Sequence, residues 1–334
     1  MSRILTLGEI MLRLSTRVDT RLSESKQFQV HYGGGEANVA ISLANYNHSV
    51  SFASKVPNNA LGLAVKRHLQ QYGVSTDLLL FGGTRLGSYY LESGVGERSS
   101  SVIYDRAYSS FSEIEMLEWS MDELFGDVEL FHVSGITPAL SDNWAKLTEQ
   151  LMKEAKKRSV KISFDINYRA KLWSYIKAKS ILPALLPYAD YCSAGKLDAI
   201  HLLGIEEQSK DGEDVANYYQ QMSDLYPNIE MFYSTLREIK STSDHILKGT
   251  IWNKGVLYAS KKHFIVPVID RVGGGDAFSA GIIHGLLTKQ DLDYTVSFAT
   301  AASAMKHTIT GDCNQFSIEE IEEFMTRDDQ RIKR

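Results

Sequence analysis

Val266-Pro267-Val268-Ile269-Asp270-Arg271-Val272-Gly273-Gly274-Gly275-Asp276-Ala277-Phe278 joins a β-branched run to three glycines and a carboxylate. A small-residue helix pattern follows at once, in Ser279, Ala280, Gly281 and Gly285. Glycines let a backbone turn tightly and come close to a ligand. The free N–H groups of a first helical turn carry partial positive charge and suit a phosphate or a developing oxyanion. Asp276 stands at that same helix start, within reach of a hydroxyl brought to the anion site. An anion cradle beside a carboxylate base is what phosphoryl transfer to an alcohol requires. The same residues also serve as a plain strand-to-helix turn with an aspartate cap. A second glycine cluster, His31-Tyr32-Gly33-Gly34-Gly35-Glu36-Ala37-Asn38-Val39-Ala40, opens another helix pattern and tips the reading toward a ligand site.

Around these motifs the pattern is that of an α/β protein. Strands are expected at Arg3–Gly8, Val50–Ala53, Leu130–Val133, Lys161–Asp165, Tyr191–Ser193, Glu230–Ser234 and Thr250–Trp252. Helices are expected near 36–46, 61–72, 142–158, 176–186, 197–203, 213–225, 275–287 and 293–306. Such alternation argues a mostly parallel sheet covered on both faces. Residues 12–30 alternate polar and apolar, and 85–108 read as a β-hairpin around Gly94-Val95-Gly96. The charged tail Asp328–Arg334 is expected to fray.

Composition narrows the function classes. The chain has 334 residues, 43% of them hydrophobic, enough to bury a large core. Its net charge of −5 gives no basic field for nucleic acid or an anionic membrane. The basic run Lys153–Arg158 reads as the solvated end of a helix. Only Cys192 and Cys313 occur, which argues against a disulfide framework or a zinc site. The apolar run Ile4, Leu5, Leu7 is too short for a signal peptide or a span, so a cytoplasmic location is expected.

Together the two glycine motifs resemble the signatures of the ribokinase-like (pfkB) family of carbohydrate kinases. Further segments narrow the likeness to the sugar-acid branch: Gly8-Glu9-Ile10-Met11, Asp165-Ile166-Asn167-Tyr168-Arg169-Ala170-Lys171-Leu172-Trp173 and Thr308-Ile309-Thr310-Gly311-Asp312. The resemblance runs over nearly the whole chain. It implies a single ribokinase-like α/β domain over 1–334, with a β lid from about 12–32 and 85–108 through which two subunits would pair. It also implies ATP-dependent phosphorylation of the C6 hydroxyl of 2-keto-3-deoxygluconate. Asp276 would be the general base and the Gly273–Gly275 turn (Gly273, Gly274, Gly275) the anion hole.

For the sugar acid, the resemblance points to Gly34, Gly35, Asn38, Tyr89, Tyr104, Arg106 and Arg169. The two arginines would grip the carboxylate, because a guanidinium offers a planar, two-pronged donor. Surface salt bridges are the plainer use of both, and Asn38 could instead only fix the glycine loop. For the nucleotide the candidates are Ser193, Thr235, Arg237, Gly275, Ala302 and Ser303. ATP and Mg2+ are the implied cofactors, and dependence on a monovalent cation is left open. There is no GxxxxGK[ST] loop. The family's Asn-x-x-Glu motif is replaced by Gly195-Lys196-Leu197-Asp198, so Asp198 could meet magnesium only through water. A ribokinase- or fructokinase-like enzyme for neutral sugars, a sugar-acid binder without turnover and, more remotely, a nicotinamide dehydrogenase are the alternatives. The last lacks GxGxxG after the first strand.

Overall fold

The structure, a computed structural model, describes residues 3–207 and 215–326. The tail 328–334 and the first two residues of the helix expected at 213–225 lie outside that range. Fourteen strands form two sheets among the described residues. They are β1 Arg3–Leu7, β2 Met11–Ser15, β3 Gln29–Gly33, β4 Val50–Val56, β5 Leu79–Phe81, β6 Ser88–Glu92 and β7 Ser101–Asp105, then β8 Val128–Ser134 and β9 Lys161–Asp165. The chain continues with β10 Tyr191–Ser193, β11 Met231–Ser241, β12 Asp244–Asn253, β13 Val256–Ala259 and β14 His263–Ile265.

The large sheet has the order β13-β12-β11-β10-β9-β8-β1-β4-β5, with β14 also pairing β12. From β11 to β5 every pair is parallel; β12 pairs antiparallel with β11, β13 and β14. The expected mostly parallel sheet is therefore present. Parallel strands are buried on both faces, and β1 shows it: Ile4, Leu5 and Leu7 are fully covered. One face packs Trp144 and Leu151 of helix Asp142–Lys157, Leu182 of helix Tyr175–Leu185 and Tyr219 of helix Val215–Leu225. The other packs Ala40 of helix Gly35–Asn45, Ile283 of helix Gly274–Leu287 and Phe298 of helix Leu292–Lys306.

Chain order reverses at β1, whose neighbours are β4 on one side and β8 on the other. Open α/β sheets bind ligands outside the carboxyl ends of their strands at such a switch point. Here Glu9, Asp165 and Ser193 lie at or just beyond those ends, Ser234 sits inside β11 level with the end of β10, and all four line one cleft.

The second sheet has the order β3-β2-β6-β7. The hairpin of β6 and β7 sets Tyr89 opposite Tyr104. The sheet leaves Val30 of β3 and Ile103 of β7 more than half exposed.

Two local expectations differ from the structure. The β-branched run Val266–Ile269 is not a strand; the edge strand is β14, just before it. β11 and β12 extend to eleven and ten residues. The far half of β11 is polar and largely exposed, so hydrophobic periodicity does not reveal it, whereas the added half of β12 buries His245, Ile246 and Leu247. Short helices at Met121–Phe125, Ile136–Ala139 and Ile318–Thr326 had no expectation. Among the described residues no helix is long and apolar enough to cross a membrane.

Candidate active site

The tri-glycine turn begins the helix Gly274–Leu287. Gly273 is its cap residue, with φ of 79°, and no side chain caps the helix. Only glycine takes that left-handed conformation without strain. A Cβ there would also lie 1.6 Å from the Asp312 main-chain oxygen. Gly34 is extended, but a Cβ on it would meet the Glu9 main-chain oxygen at 2.0 Å, so close approach demands glycine at that position too.

Asp276 lies in the first turn of its helix and does not cap it. Its Oδ2 accepts a hydrogen bond of 2.7 Å from Asn38 Nδ2. Asn38 Oδ1 in turn accepts from the Gly34 N–H at 3.4 Å. One asparagine thus ties the first glycine motif to the carboxylate of the second, across 238 residues of sequence. Burial raises the Asp276 pKa, opposed by the Asn38 bond and the Arg169 charge. The carboxylate faces a cleft of about 1570 Å³ that also contains Arg169, Arg106, Asp165, Asp198 and Gly275. That volume exceeds the few hundred to ~1000 Å³ of a single-ligand pocket and leaves room for two substrates.

Arg169 is exposed, on the cleft wall after β9, and makes no ion pair or side-chain hydrogen bond to another described residue. Its charge pulls down the pKa of both Asp165 and Asp276. Arg106 is committed differently. Its Nε (2.9 Å) and Nη2 both donate to Glu9 Oε2, and Ser109 Oγ donates to Oε1 at 2.5 Å. The side-on contact with Glu9 uses two of its five N–H groups, and Nη1 with the outer N–H of Nη2 remains for a ligand.

Tyr89 lines the cleft, but its hydroxyl donates to Asp312 Oδ2. Tyr104 stands over its ring at 5.8 Å between centroids and lies 5.9 Å from both the Arg106 guanidinium and Lys171 Nζ. Gly34 and Gly35 also line the cleft.

Of the nucleotide candidates, Ser193, Thr235, Arg237 and Gly275 line the cleft. Arg237 keeps a buried Nε with no partner. Ala302 and Ser303 do not line it: both are fully buried, and Ser303 Oγ donates to the Gly274 main-chain oxygen at 2.7 Å. Their small size serves helix packing beneath the turn. Asp198 Oδ2 accepts from the Gly195 N–H at 2.9 Å, and burial raises its pKa. Among the described residues no three His, Cys, Asp or Glu side chains are placed to hold a metal ion.

Sequence reading overlooked Asp165, although it begins a quoted segment. Its Oδ1 accepts from the Asn167 N–H at 3.1 Å. Burial first, and then the charge on Asp276, push its pKa up to about 7, against the pull of Arg169. A carboxyl with a raised folded pKa holds its proton more tightly when folded. Its contribution is therefore favourable below about pH 4 and is lost as pH climbs to about 7. Asp165→Asn is expected to raise the pH 8 melting temperature by about 2–5 °C, discounted because the group borders water. Thermal scans at pH 8 and pH 5 check this, and the gain should shrink at pH 5.

Residues 1–319 match the profile described as pfkB family carbohydrate kinase. A solved PfkB family carbohydrate kinase from Listeria grayi superposes with a TM-score of 0.94 at 43% identity, covering 97% of this chain and all of that one. The 2-dehydro-3-deoxygluconokinase of Thermotoga maritima does so with a TM-score of 0.95 at 37% identity, covering 98% of this chain and 100% of its own. A 2-dehydro-3-deoxygalactonokinase from Haloferax volcanii is 29% identical over 100% of this chain and 99% of its own length.

Proposed function

Since this chain belongs to the pfkB family of carbohydrate kinases, we propose that it phosphorylates the C6 hydroxyl of 2-keto-3-deoxygluconate with ATP. That acid is also called 2-dehydro-3-deoxygluconate, the compound in the name of the Thermotoga relative. The observation that carries the reading is the Asn38–Asp276 hydrogen bond, which places both glycine motifs on one cleft wall together with an unpaired Arg169.

The Asn38 amide holds Oδ2 of Asp276 and leaves Oδ1 to take the proton of the C6 hydroxyl as the oxygen attacks. A carboxylate with a raised pKa is a better base for that transfer. The N–H groups of the Gly273–Gly275 turn receive the negative charge on the migrating phosphoryl. Little covalent chemistry is left to the protein, so rate comes from position and field.

Arg169 takes the substrate carboxylate at the other end, with Arg106 contributing the end of its guanidinium that Glu9 leaves free. The β2-β3-β6-β7 sheet closes over the sugar as a lid, bringing Tyr89 and Tyr104. Burial raises the pKa of Asp165, Asp198 and Asp276, and Arg169 is the counter-charge to Asp165 and Asp276. That surplus of negative charge fits a hydrated magnesium ion brought in with ATP, and Asp165 and Asp198 would hold it by accepting hydrogen bonds from its waters. The ion supplies charge neutralisation of the phosphates.

The test is ADP release across sugars and sugar acids. Turnover of the hexonate, gluco or galacto, should exceed that of neutral ketoses and pentoses; the reverse order defeats the substrate assignment. Arg169→Ala is expected to lower kcat/KM for the hexonate by about 10²-fold, the value of a charge-assisted pair in a desolvated site. The residual rate on a neutral ketose should be nearly unchanged. An equal loss on both substrates would place Arg169 in folding rather than in recognition.

A further inference from the structure

Lys306 ends the helix Leu292–Lys306, where a lysine ordinarily reaches solvent, yet it is completely buried. Its Nζ donates to the main-chain oxygens of Asp270 at 3.2 Å and Ile309 at 3.4 Å. No carboxylate oxygen lies within ion-pair distance of it among the described residues. The Asp270 and Asp312 carboxylates are instead gripped by Arg13, at 2.6 and 2.8 Å. Asp270 also accepts from the Val272 N–H at 3.0 Å and the Gly311 N–H at 3.1 Å. Two cations and two carboxylates therefore share one buried volume, and the ammonium is held by backbone oxygens.

Both loops around that ammonium reach the tri-glycine turn. Asp270 leads into it, three residues before Gly273. The loop Ile309–Asp312 returns to it, so that the Asp312 main-chain oxygen blocks any side chain at Gly273. Carbonyl oxygens converging on a buried unit charge are also the donor set that takes the place of water around a potassium ion. Removing the ammonium would leave those carbonyls open and the buried cluster one charge negative, a site for a monovalent cation of similar size.

We propose that Lys306 is a built-in cation, a positioning residue that occupies a carbonyl cage behind the anion hole and frees turnover from any dissolved monovalent cation. The role rests on reading the turn as the anion hole of a kinase. Burial holds the Lys306 pKa below its ordinary value, and the neighbouring carboxylates oppose that shift.

The experiment compares K+, Na+ and tetramethylammonium chloride at equal ionic strength, with wild type and Lys306→Met. Wild-type turnover should agree across the three salts within about twofold; activation by K+ of about tenfold or more would overturn the proposal. Lys306→Met in tetramethylammonium should lose about 10²-fold in kcat and regain about tenfold or more in K+ or NH4+. Its melting temperature should rise with K+ concentration while that of wild type stays flat, as mass action requires of a newly opened site. A variant indifferent to every cation in both rate and melting would sink the idea. If Lys306→Met folds only when K+ or NH4+ is present, that supports the cage; failure to fold in every salt counts against it. The melting arm needs no turnover. Absence of ADP release from wild type in all salts would therefore remove the kinase reading, while the variant's melting still decides the cage.

Discussion

Asp276→Asn is expected to lower kcat by about 10³-fold while sugar-acid and ATP binding change by less than about threefold. The substitution is nearly isosteric and keeps an oxygen that can accept from Asn38 Nδ2. The turn, the helix Gly274–Leu287 and the link to Gly34 therefore have no reason to move. What vanishes is the proton acceptor. The C6 hydroxyl then reaches the phosphoryl with its proton still attached, and the remaining rate is what position and the amide N–H groups supply. Single-turnover measurement of sugar phosphate formation, with calorimetric binding of each substrate, separates the two effects. Loss of binding equal to the loss of rate would mean that Asp276 organises the site and is not its base. The acid limb of the wild-type profile carries a second check. The raised pKa of Asp276 and the value of about 7 at Asp165 should make kcat/KM fall well above the ordinary carboxylate range as pH drops. The apparent pKa belongs to the coupled pair rather than to either carboxylate.

The residues that line the cleft were more legible in the sequence than those that hold them. Gly34, Asn38, Arg169 and Asp276 lie on short motifs whose chemistry can be read locally, and they meet in one cleft. The support behind them cannot be read that way. Arg13 sits 257 residues from Asp270 and 299 from Asp312 and joins both at ion-pair distance. Alternation along β2 would expect Arg13 to point to water or to core, and nothing local announces two buried carboxylate partners. Arg106 carries the same lesson: on a hairpin arm it reads as a sugar-acid ligand or a surface salt bridge, and nothing local announces the buried Glu9, just beyond another strand, that takes two of its five N–H groups. Ala302 and Ser303 were ambiguous because small residues on a helix serve close packing and ligand access alike. Asp165 and Asp312 both lie within the motifs that carry the family resemblance; for Asp165 the local signal is a carboxylate at a strand end, whereas Asp312, in the loop after helix Leu292–Lys306, has none.

Gly273→Ala and Gly275→Ala are expected to fail in opposite ways, although the two positions are two residues apart. At Gly273 a methyl group meets a backbone oxygen at 1.6 Å, and φ is 79°. Neither can be relieved by rotating a side chain, so the loop carrying Asp312 must shift. That loop also holds the Arg13–Asp312 pair and the Tyr89 hydroxyl. Destabilisation of about 3–5 kcal/mol follows, from left-handed strain together with a disturbed buried network. At Gly275 a Cβ meets nothing within 4 Å, and the conformation is not left-handed. Alanine there should leave stability within about 1 kcal/mol of wild type or improve it, since it favours the first helical turn. Its methyl group projects toward the cleft, however, where the phosphoryl must approach the backbone. Turnover should fall by about 10²-fold, the usual loss when a donor of an oxyanion hole is obstructed. Chemical denaturation and ADP-release rates on the two variants decide between these outcomes. A stable, inactive Gly275→Ala beside an unstable Gly273→Ala assigns the outer glycine to the ligand and the inner one to the fold. Full activity in Gly275→Ala would show that no phosphoryl group comes near this turn, and the assignment of the anion hole would fall with it.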